Sequence, residues 1–363
     1  MSAATAQAVS VEAQSGAISL RWIISAREDL VWFIGSVLSS YALLALYLTG
    51  ILPLIPMVAA WAILIDAPHV FGTFSRTYFD RAERRARKRL LAGSLLFFIV
   101  GPLMVLAGAG LVFFFLAALW AYYHLVKQHY GFMVLYKKKN QDLAPIDNAL
   151  DRTFLLLAFT YPFVGFIARD PEAMARVPTL LQSGVSTLST ALLVLTILSG
   201  AAWLARQVGR AFAGLPLDVP KYLLLAAAIP MHWVALLAPM PHKTIALVPI
   251  LTFYHNLQYH RLIWFHNKKY SSGDDCKQRY GAAELISRRL LYYILFGILF
   301  GLWYQGPRQY TLAYLLNHNQ SENLWMQLAA AFLWGYAFIH YYLDSKIWRV
   351  RRDPSVGKAL RME

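Results

Sequence analysis

Long apolar runs alternate with short polar segments over most of the chain. A helix needs about 20 apolar residues to cross the hydrocarbon core of a bilayer, which is about 30 Å thick. Ten stretches of the sequence meet this requirement, and they predict an all-α bundle of about ten transmembrane helices. The stretches are residues 30–49, 51–72, 90–108, 111–136, 152–168, 184–204, 219–238, 243–267, 289–306 and 324–343.

Glycine and proline mark two of the boundaries between these stretches. The run 90–136 is too long for one crossing, and Gly108-Ala109-Gly110 predicts a hairpin within it. Pro53 opens the second span, where the missing N–H of a proline costs no helical hydrogen bond. The chain then divides into a polar N-terminal segment, a single transmembrane domain and a basic tail, at residues 1–29, 30–343 and 344–363.

The composition supports a membrane location and excludes two other classes of protein. The chain of 363 residues is 58% apolar and 15% charged, whereas soluble proteins are about 25% charged. A disordered chain and a soluble globular enzyme are therefore excluded. Cys276 is the only cysteine, so the sequence allows neither an internal disulfide nor a cysteine-based zinc site. Any metal chemistry must use histidine and carboxylate ligands.

The positive charge of the chain is concentrated on one side of the predicted bundle. Lys and Arg exceed Asp and Glu by 15, an excess that on a soluble protein would suggest nucleic-acid binding. When loops are assigned to alternate sides, 29 of the 34 basic residues fall on one side and four on the other, with Lys127 inside a span. Basic residues of short loops concentrate in the cytoplasm. This distribution predicts ten spans in the cell membrane, cytoplasmic N- and C-termini, membrane lipids as partners, and no nucleic-acid partner.

Six of the ten histidines lie at a similar depth in the predicted bundle. Two pairs each lie 13 and 8 residues before a lysine of the basic side, which corresponds to depths of about 20 and 12 Å at about 1.5 Å per residue. Ionisable side chains in a bilayer are costly and usually face the bundle interior for function. The six are His69, His124, His129, His255, His260 and His340. In contrast, His232, His242 and His318 are predicted near the opposite side.

This layer of histidines, with two nearby carboxylates, predicts a metal site. Imidazole and carboxylate ligands with open coordination positions suit Fe(II) in oxygen chemistry. We therefore expect one or two iron ions, and ligand type alone leaves zinc and manganese open. Each ligating histidine should donate its second N–H to an acceptor. The candidates for this outer role are Asp66, Asp344, Gln128, Asn256 and Gln258.

The spacing of the histidine pairs restricts how they can bind a metal. Residues five apart on a regular α-helix are separated by about 140° around its axis. His124 and His129 therefore cannot both face one ion, and the same holds for His255 and His260. Three arrangements remain open: a π-bulge brings each pair together, as bulges often do at functional sites, only one histidine of each pair is a ligand, or the site holds two metals.

Four short motifs surround these histidines. They read Ala67-Pro68-His69 with Gly72, His124…His129-Tyr130-Gly131, Phe253-Tyr254-His255…His260 with Trp264, and His340…Leu343-Asp344. In order and placement they resemble the motifs of the Brp/Blh family of bacterial and archaeal β-carotene-cleaving dioxygenases. The resemblance implies a multispan membrane protein that uses histidine-bound iron to cleave carotene to retinal with O2. It implies His69, His124 or His129, His255 and His260 as the iron ligands.

These observations together predict an integral-membrane non-haem iron oxygenase. It would act with O2 on a lipophilic substrate that enters from the bilayer, for example a carotenoid-like polyene. Asp66, Lys127 and Asp344 are the candidate catalytic residues. Lys127 lies beside the first histidine pair, where it could neutralise a bound anion or pair with one of the two carboxylates.

Two alternative functions stay open at this stage. The chain is more loosely similar to membrane desaturases and hydroxylases with di-iron His-box sites, which need an electron donor. Their His-x3-His and His-x2-His-His boxes do not occur in this sequence. The other alternative is a metal or proton transporter, which requires a polar path across the whole membrane. The outer halves of the predicted spans are very apolar, and this argues against such a path.

Overall fold

The computed structural model describes residues 18–271, 276–317, 323–350 and 353–362. Within these residues, ten long helices match the ten predicted stretches to within three residues wherever a stretch extends beyond its helix, so the prediction of an all-α fold is confirmed. They are α1 (Ala26–Leu48), α2 (Leu54–Thr77), α3 (Lys88–Leu106), α4 (Gly110–Lys139), α5 (Pro145–Arg169), α6 (Thr179–Phe212), α7 (Val219–Leu237), α8 (Lys243–Asn267), α9 (Leu290–Asn317) and α10 (Leu324–Ile347). Residues 1–17 of the predicted N-terminal segment and His318 lie outside the described residues.

Short elements connect the long helices. Two strands, β1 (Ile18–Ser19) and β2 (Leu217–Asp218), pair in parallel. The short helices are Arg81–Ala86, Pro171–Ala175, Cys276–Tyr280, Ala282–Ser287 and Pro354–Ala359, with a 3-10 turn at Lys268–Ser271. The glycine-rich hairpin predicted between α3 and α4 is confirmed. Gly108 there has a φ of +76°, a backbone angle that glycine adopts without steric cost.

Among the described residues, eight helices are long and apolar enough to cross a membrane. They are α1 to α7 and α9. The remaining two, α8 and α10, have 25 and 24 residues, which is also sufficient length for a crossing. They are less apolar because they carry His255, His260, His340 and Asp344. The chain is therefore an all-α membrane protein, and α8 and α10 supply part of the site described below.

A π-helical turn at Ala62–Asp66 interrupts α2 just before His69. It is followed by Pro68, which has no N–H to donate to the preceding turn. Two glycines of α9 let that helix approach the interruption closely. A Cβ atom at Gly301 would lie 2.4 Å from the carbonyl oxygen of Ile63, well inside van der Waals contact. The break in α2 and the glycines of α9 thus fix the position from which His69 enters the bundle.

Both ends of the described chain contact the C-terminal end of α4, at Lys139 and at Asn140, which follows it. The hydroxyl of Ser19 donates to Asn140 Oδ1 at 2.5 Å. The ammonium group of Lys139 donates to the carbonyl oxygen of Arg361. The β1–β2 pair therefore lies at the same end of the bundle as the C-terminal segment.

Candidate metal centre

Four long helices each contribute one buried histidine to the interior of the bundle. His69 of α2, His124 of α4, His255 of α8 and His340 of α10 are at most 8% exposed, and we call these four the histidine cluster. The ring of His69 lies 4.9 Å from that of His255 and 4.5 Å from that of His340. The ring of His124 lies 5.4 and 4.7 Å from the same two rings. Each of the four imidazole rings thus lies next to at least two other rings of the histidine cluster.

Two overlapping groups of side chains within the described part of the chain are arranged as metal ligands. In each group, one ligand atom per residue lies within 4.8 Å of the others. The first group is His69, His124 and His255, and the second is His124, His340 and Asp344. His124 belongs to both groups, so the arrangement has room for one ion in either position or for two neighbouring ions.

Each imidazole of the histidine cluster has one buried nitrogen without a hydrogen-bond partner among the described residues. The atoms are His69 Nδ1, His124 Nε2, His255 Nδ1 and His340 Nε2. Leaving a buried polar atom unpaired costs about 1–3 kcal/mol, and four such atoms in one place call for a common partner. Neutral imidazole nitrogens are the commonest metal ligands in proteins. The donor set therefore fits a divalent iron, zinc or manganese ion.

A hydrogen-bond network sets the tautomer of His340. The hydroxyl of Thr73 donates to Asp344 Oδ1 at 2.6 Å, and the hydroxyl of Tyr259 donates to the same oxygen at 2.7 Å. Because the only hydroxyl hydrogen of Thr73 is used, its Oγ1 must accept from His340 Nδ1, 2.7 Å away. The ring proton is then on Nδ1, and Nε2 keeps the lone pair that a metal requires.

The second histidine of each predicted pair lies outside the two groups. Helices α4 and α8 are α-helical throughout, so no π-bulge brings the paired histidines together. His260 uses both nitrogens in hydrogen bonds, with the hydroxyl of Tyr293 at 3.0 Å and the carbonyl oxygen of Ile65 at 3.1 Å. His129 donates from Nδ1 to the carbonyl oxygen of Leu125 at 2.9 Å. His129 Nε2 is buried and unpaired, but His129 lies in neither ligand group, so one histidine of each pair belongs to the candidate site.

The prediction that His232 lies near the opposite side of the bundle is wrong. His232 is fully buried, with its ring 5.6 Å from that of His129. Its nitrogens contact the hydroxyls of Tyr122 at 3.2 Å and Tyr254 at 3.0 Å. His232 lies 11 residues after Lys221 on the basic side, or at a depth of about 17 Å. The same measure of depth that selected the other histidines would have placed it among them.

The three predicted catalytic residues occupy different positions. Asp344 belongs to the second ligand group. Asp66 accepts from Gln305 Nε2 at 2.8 Å and from Asn256 Nδ2 at 3.4 Å, and it lies in neither group. Lys127 is exposed, with its ammonium group 4.3 Å above the ring of Tyr130. It forms no ion pair with either carboxylate among the contacts of the described residues.

Most of the residues predicted to accept a hydrogen bond from a ligating histidine bond to other groups instead. Gln128 donates to the carbonyl oxygen of His255 at 2.8 Å, and Gln258 donates to the carbonyl oxygen of Phe33 at 2.6 Å. Asn256 contacts Asp66. Of the five candidates, Asp344 is the one connected through hydrogen bonds to an imidazole of the histidine cluster.

Sequence reasoning missed Thr73 and Tyr259, although a simple signal points to both. Thr73 lies four residues after His69, and Tyr259 lies four residues after His255. Residues four apart share a helix face, so polar residues at that spacing were the natural candidates for contacts with the site. Asp344, which follows His340 by four residues, was found in this way.

A cavity of about 690 Å³ leads from the outside of the bundle to the second ligand group. It lies between α4 and α10, and His124, Tyr259 and Asp344 line its inner part. Aromatic side chains make up much of the remaining wall: Trp120, Tyr123, Tyr130, Phe132, Tyr341, Tyr342 and Trp348. The ring of Tyr341 stacks on that of His124 at 4.4 Å. The volume is in the usual range for small-molecule sites.

A second buried polar cluster lies at the α4–α5 turn and was not anticipated. Its members, which we call the ionic cluster, are Lys137, Asp142, Asp147, Asp151, Arg206, Arg210 and Lys221. Lys221 Nζ lies 2.6 Å from Asp142 Oδ2 and 3.0 Å from Asp151 Oδ2. Arg210 contacts the other oxygen of Asp142 at 2.8 Å. Burial alone would raise the pKa of Asp142, but the charge of Lys221 and its hydrogen bond outweigh burial and hold that pKa below its ordinary value.

Comparisons with known proteins find no family model, no curated protein and no solved structure that matches this chain.

Proposed function

We propose that this protein is an integral-membrane non-haem iron oxygenase. The observation that carries the proposal is the set of four unpartnered imidazole nitrogens, one from each of four helices, gathered within two ligand groups. His232 and His260 have both nitrogens hydrogen-bonded, and His129, which also keeps an unpaired nitrogen, lies in neither ligand group. Iron is favoured over the other ions by the resemblance of the histidine motifs to the carotene-cleaving family.

The residues of the site have distinct roles in this proposal. His69, His124, His255 and His340 would hold the iron, with Asp344 as a further ligand or as the acceptor that orients His340. Bound iron supplies the activation of O2. The aromatic cavity would bind a lipophilic substrate and exclude water from its inner end. Asp66, between two amide side chains, would help to hold the break in α2 in position.

The reaction favoured by the resemblance is oxidative cleavage of a carbon–carbon double bond. One O2 adds across the bond, and each oxygen atom ends in one of the two carbonyl products. The balance needs no external reductant. A carotenoid-like polyene from the membrane is the corresponding substrate.

We further infer ten spans in the cell membrane with cytoplasmic termini. The support for α8 and α10 as spans is their length and the burial of their polar side chains, including His255 and His340. The support for the orientation is the location of 29 of the 34 basic residues on one side. The site would then open toward the cytoplasmic half of the bilayer.

A di-iron hydroxylase or desaturase is the second candidate, favoured by one observation. His124 lies in both ligand groups, so two ions would be close neighbours. Hydroxylation by such a site takes one oxygen atom from O2 into the substrate and reduces the other to water. That reaction consumes two electrons and two protons, so it requires an electron donor, whereas cleavage of a double bond does not.

Metal analysis of the detergent-purified protein tests the proposal. After anaerobic reconstitution with Fe(II) and removal of excess ion, we expect one iron per chain for the oxygenase and two for the second candidate. Less than about half an equivalent of iron would overturn both. His69→Ala should lower the iron content, whereas His242→Asn should not. His242 is exposed and has a φ of +42°, which asparagine tolerates.

Activity is tested separately in a carotene-producing host. Expression of the protein should bleach the pigment and yield carbonyl products labelled by 18O2 in the absence of an added reductant. Unchanged pigment would remove carotene as the substrate. Oxygen uptake by purified protein that depends strictly on an electron donor would favour the second candidate.

A further inference from the structure

The cavity that reaches the candidate metal centre is amphipathic. Its walls carry apolar and aromatic side chains of α4 and α10, and it continues to Val350 and Leu360 of the C-terminal segment. On α4 the lining residues run from Trp120 to Lys138, 18 positions that correspond to about 27 Å of helix. A cavity of this length and lining suits an extended apolar chain.

Two cations in this cavity have no acidic partner. Lys127 and Arg349 both line it, and neither forms an ion pair within the described part of the protein. The guanidinium of Arg349 donates to the carbonyl oxygen of Ser345 at 2.8 Å, and the ammonium of Lys127 lies over the Tyr130 ring. Two cations without an acidic partner on the wall of one cavity form a binding place for an anion.

The carboxylate of the cavity is hydrogen-bonded to hydroxyl groups and forms no ion pair with these cations in the described part of the chain. Asp344 Oδ1 accepts hydrogen bonds from Thr73 and Tyr259, at the inner end beside His124. A negatively charged head group would therefore be attracted to Lys127 and Arg349 and repelled by Asp344. The charge pattern orients such a molecule with its head group at the cations.

We propose that this cavity binds a long-chain amphiphile with a single anionic head group, a carboxylate or a phosphate. The inference rests on the proposed oxygenase site and narrows its lipophilic substrate to an anionic amphiphile. Neutral carotene would lack the ionic contact that this substrate makes. The apolar chain occupies the aromatic wall, and the head group contacts Lys127 and Arg349.

Binding to the metal-free 363-residue chain in neutral detergent tests this inference. The probes share one chain: oleate, oleyl phosphate and oleyl alcohol. A charge-assisted contact is worth about 1.5–3 kcal/mol, so we expect at least one anion to bind about 10- to 100-fold more tightly than the alcohol. Preference for oleate identifies a carboxylate head group, and preference for oleyl phosphate identifies a phosphate. Equal affinity for all three probes would overturn the inference.

A matched pair of double variants shows whether the two cations cause the preference. Lys127→Gln with Arg349→Gln should remove the advantage of the anions over the alcohol. Lys88→Gln with Arg89→Gln removes the same charge from exposed positions outside the cavity and should leave the advantage intact. A preference that survives in the first double variant, or disappears in both, would contradict the assignment.

A steric variant tests the location independently of charge. Gly131 lines the cavity, and a Cβ atom there would meet nothing within 4 Å. Gly131→Leu should fill the cavity and weaken all three probes at least 10-fold. Gly184→Leu makes the same change at an exposed helical glycine with equally open surroundings and should have no effect. Equal binding by these two variants would place the amphiphile elsewhere.

The outcome is separable from that of the proposed oxygenase function. Probe binding is measured without metal, and iron content is measured without probe. Anion-selective binding by a protein that takes up no iron would support the amphiphile site and contradict the oxygenase function. Stoichiometric iron binding without selectivity for anions would support the oxygenase function and contradict the amphiphile site.

Discussion

The histidine cluster and the ionic cluster are both buried polar regions, but their hydrogen bonding differs. In the ionic cluster, Lys221 and Arg210 meet Asp142 and Asp151 at distances between 2.6 and 3.0 Å. In the histidine cluster, four bases of one kind meet each other, and a nitrogen of each is left unpaired. The charges of the ionic cluster are paired with one another, whereas each histidine of the histidine cluster keeps a nitrogen that the proposed metal would occupy. Burial of polar residues alone would not have separated the two.

The two regions should therefore respond oppositely to mutation. Removing one partner from a buried ion pair leaves an uncompensated charge and is strongly destabilising. Removing a histidine whose nitrogen is already unpaired instead removes an unfavourable contribution to the free energy of the metal-free folded state. The ionic cluster is expected to govern folding, and the histidine cluster is expected to govern metal binding.

The largest expected effect is that of Lys221→Met in the ionic cluster. It removes the cation nearest to Asp142 and leaves Lys137 as the one described cation that Asp142 and Asp151 still share. We expect a loss of about 3–5 kcal/mol in the free energy of unfolding. Denaturation in detergent measures it, with the exposed Lys88→Met as control. The metal affinity of the folded fraction should not change. A loss below about 1 kcal/mol would show that the cluster is not structural.

The next effect is that of His124→Ala, which removes a ligand from both groups. Since loss of an outer-shell partner alone costs about 10- to 100-fold in affinity, loss of this ligand should cost more than about 100-fold. Metal titration measures it. His129→Ala is the matched control because His129 is buried on the same helix but lies outside both groups. Equal losses in the two variants would overturn the selection of one histidine from each pair.

A smaller effect is expected for Thr73→Val, which keeps the shape of the side chain and removes its hydroxyl. His340 then loses the acceptor that fixes its tautomer, and the affinity for metal should fall about 10- to 100-fold. Thr77→Val is the matched control, since Thr77 is equally buried and, among the described residues, its hydroxyl donates to the carbonyl oxygen of Thr73. Metal titration of both variants decides whether the network acts on the site.

The smallest effect concerns Asp218, a carboxylate beside the ionic cluster. Burial raises its pKa to about 6, against the hydrogen bond from the Lys221 N–H. Because the pKa in the folded state exceeds the unfolded value, the native protein loses stability as pH rises from about 4 to 6. Asp218→Asn should therefore gain about 1–2 kcal/mol at pH 7 and nothing below pH 4. Thermal unfolding at both pH values measures this, and a gain independent of pH would contradict it.

Depth along a helix could be predicted from the sequence, but direction around the axis could not. Distance from the basic loops placed His69, His124, His255 and His340 at one level, and the apolar runs predicted their helices. Which histidine of a pair faces the cluster depends on how each helix is rotated against its neighbours. That rotation follows from long-range packing, such as the contact of Gly301 with Ile63, which a single sequence does not display.

The ionic cluster was missed for a related reason. Lys137 and Lys221 were counted as loop charges that mark one side of the membrane, and both are fully buried in ion pairs. Their acidic partners come from the α4–α5 turn and from α5, more than 60 residues before Lys221. Charge counting finds the side on which such residues lie, but it does not distinguish a solvated charge from a paired one.

The position of His124 in both ligand groups has a consequence for cooperativity. A neutral imidazole has one lone-pair nitrogen, so an ion bound in the group of His69 and His255 withdraws a ligand from the group of His340 and Asp344. Occupation of either position must lower the affinity of the other by the same factor. The histidine cluster is thus linked internally, and successive ions should bind with negative cooperativity rather than as two independent equivalents.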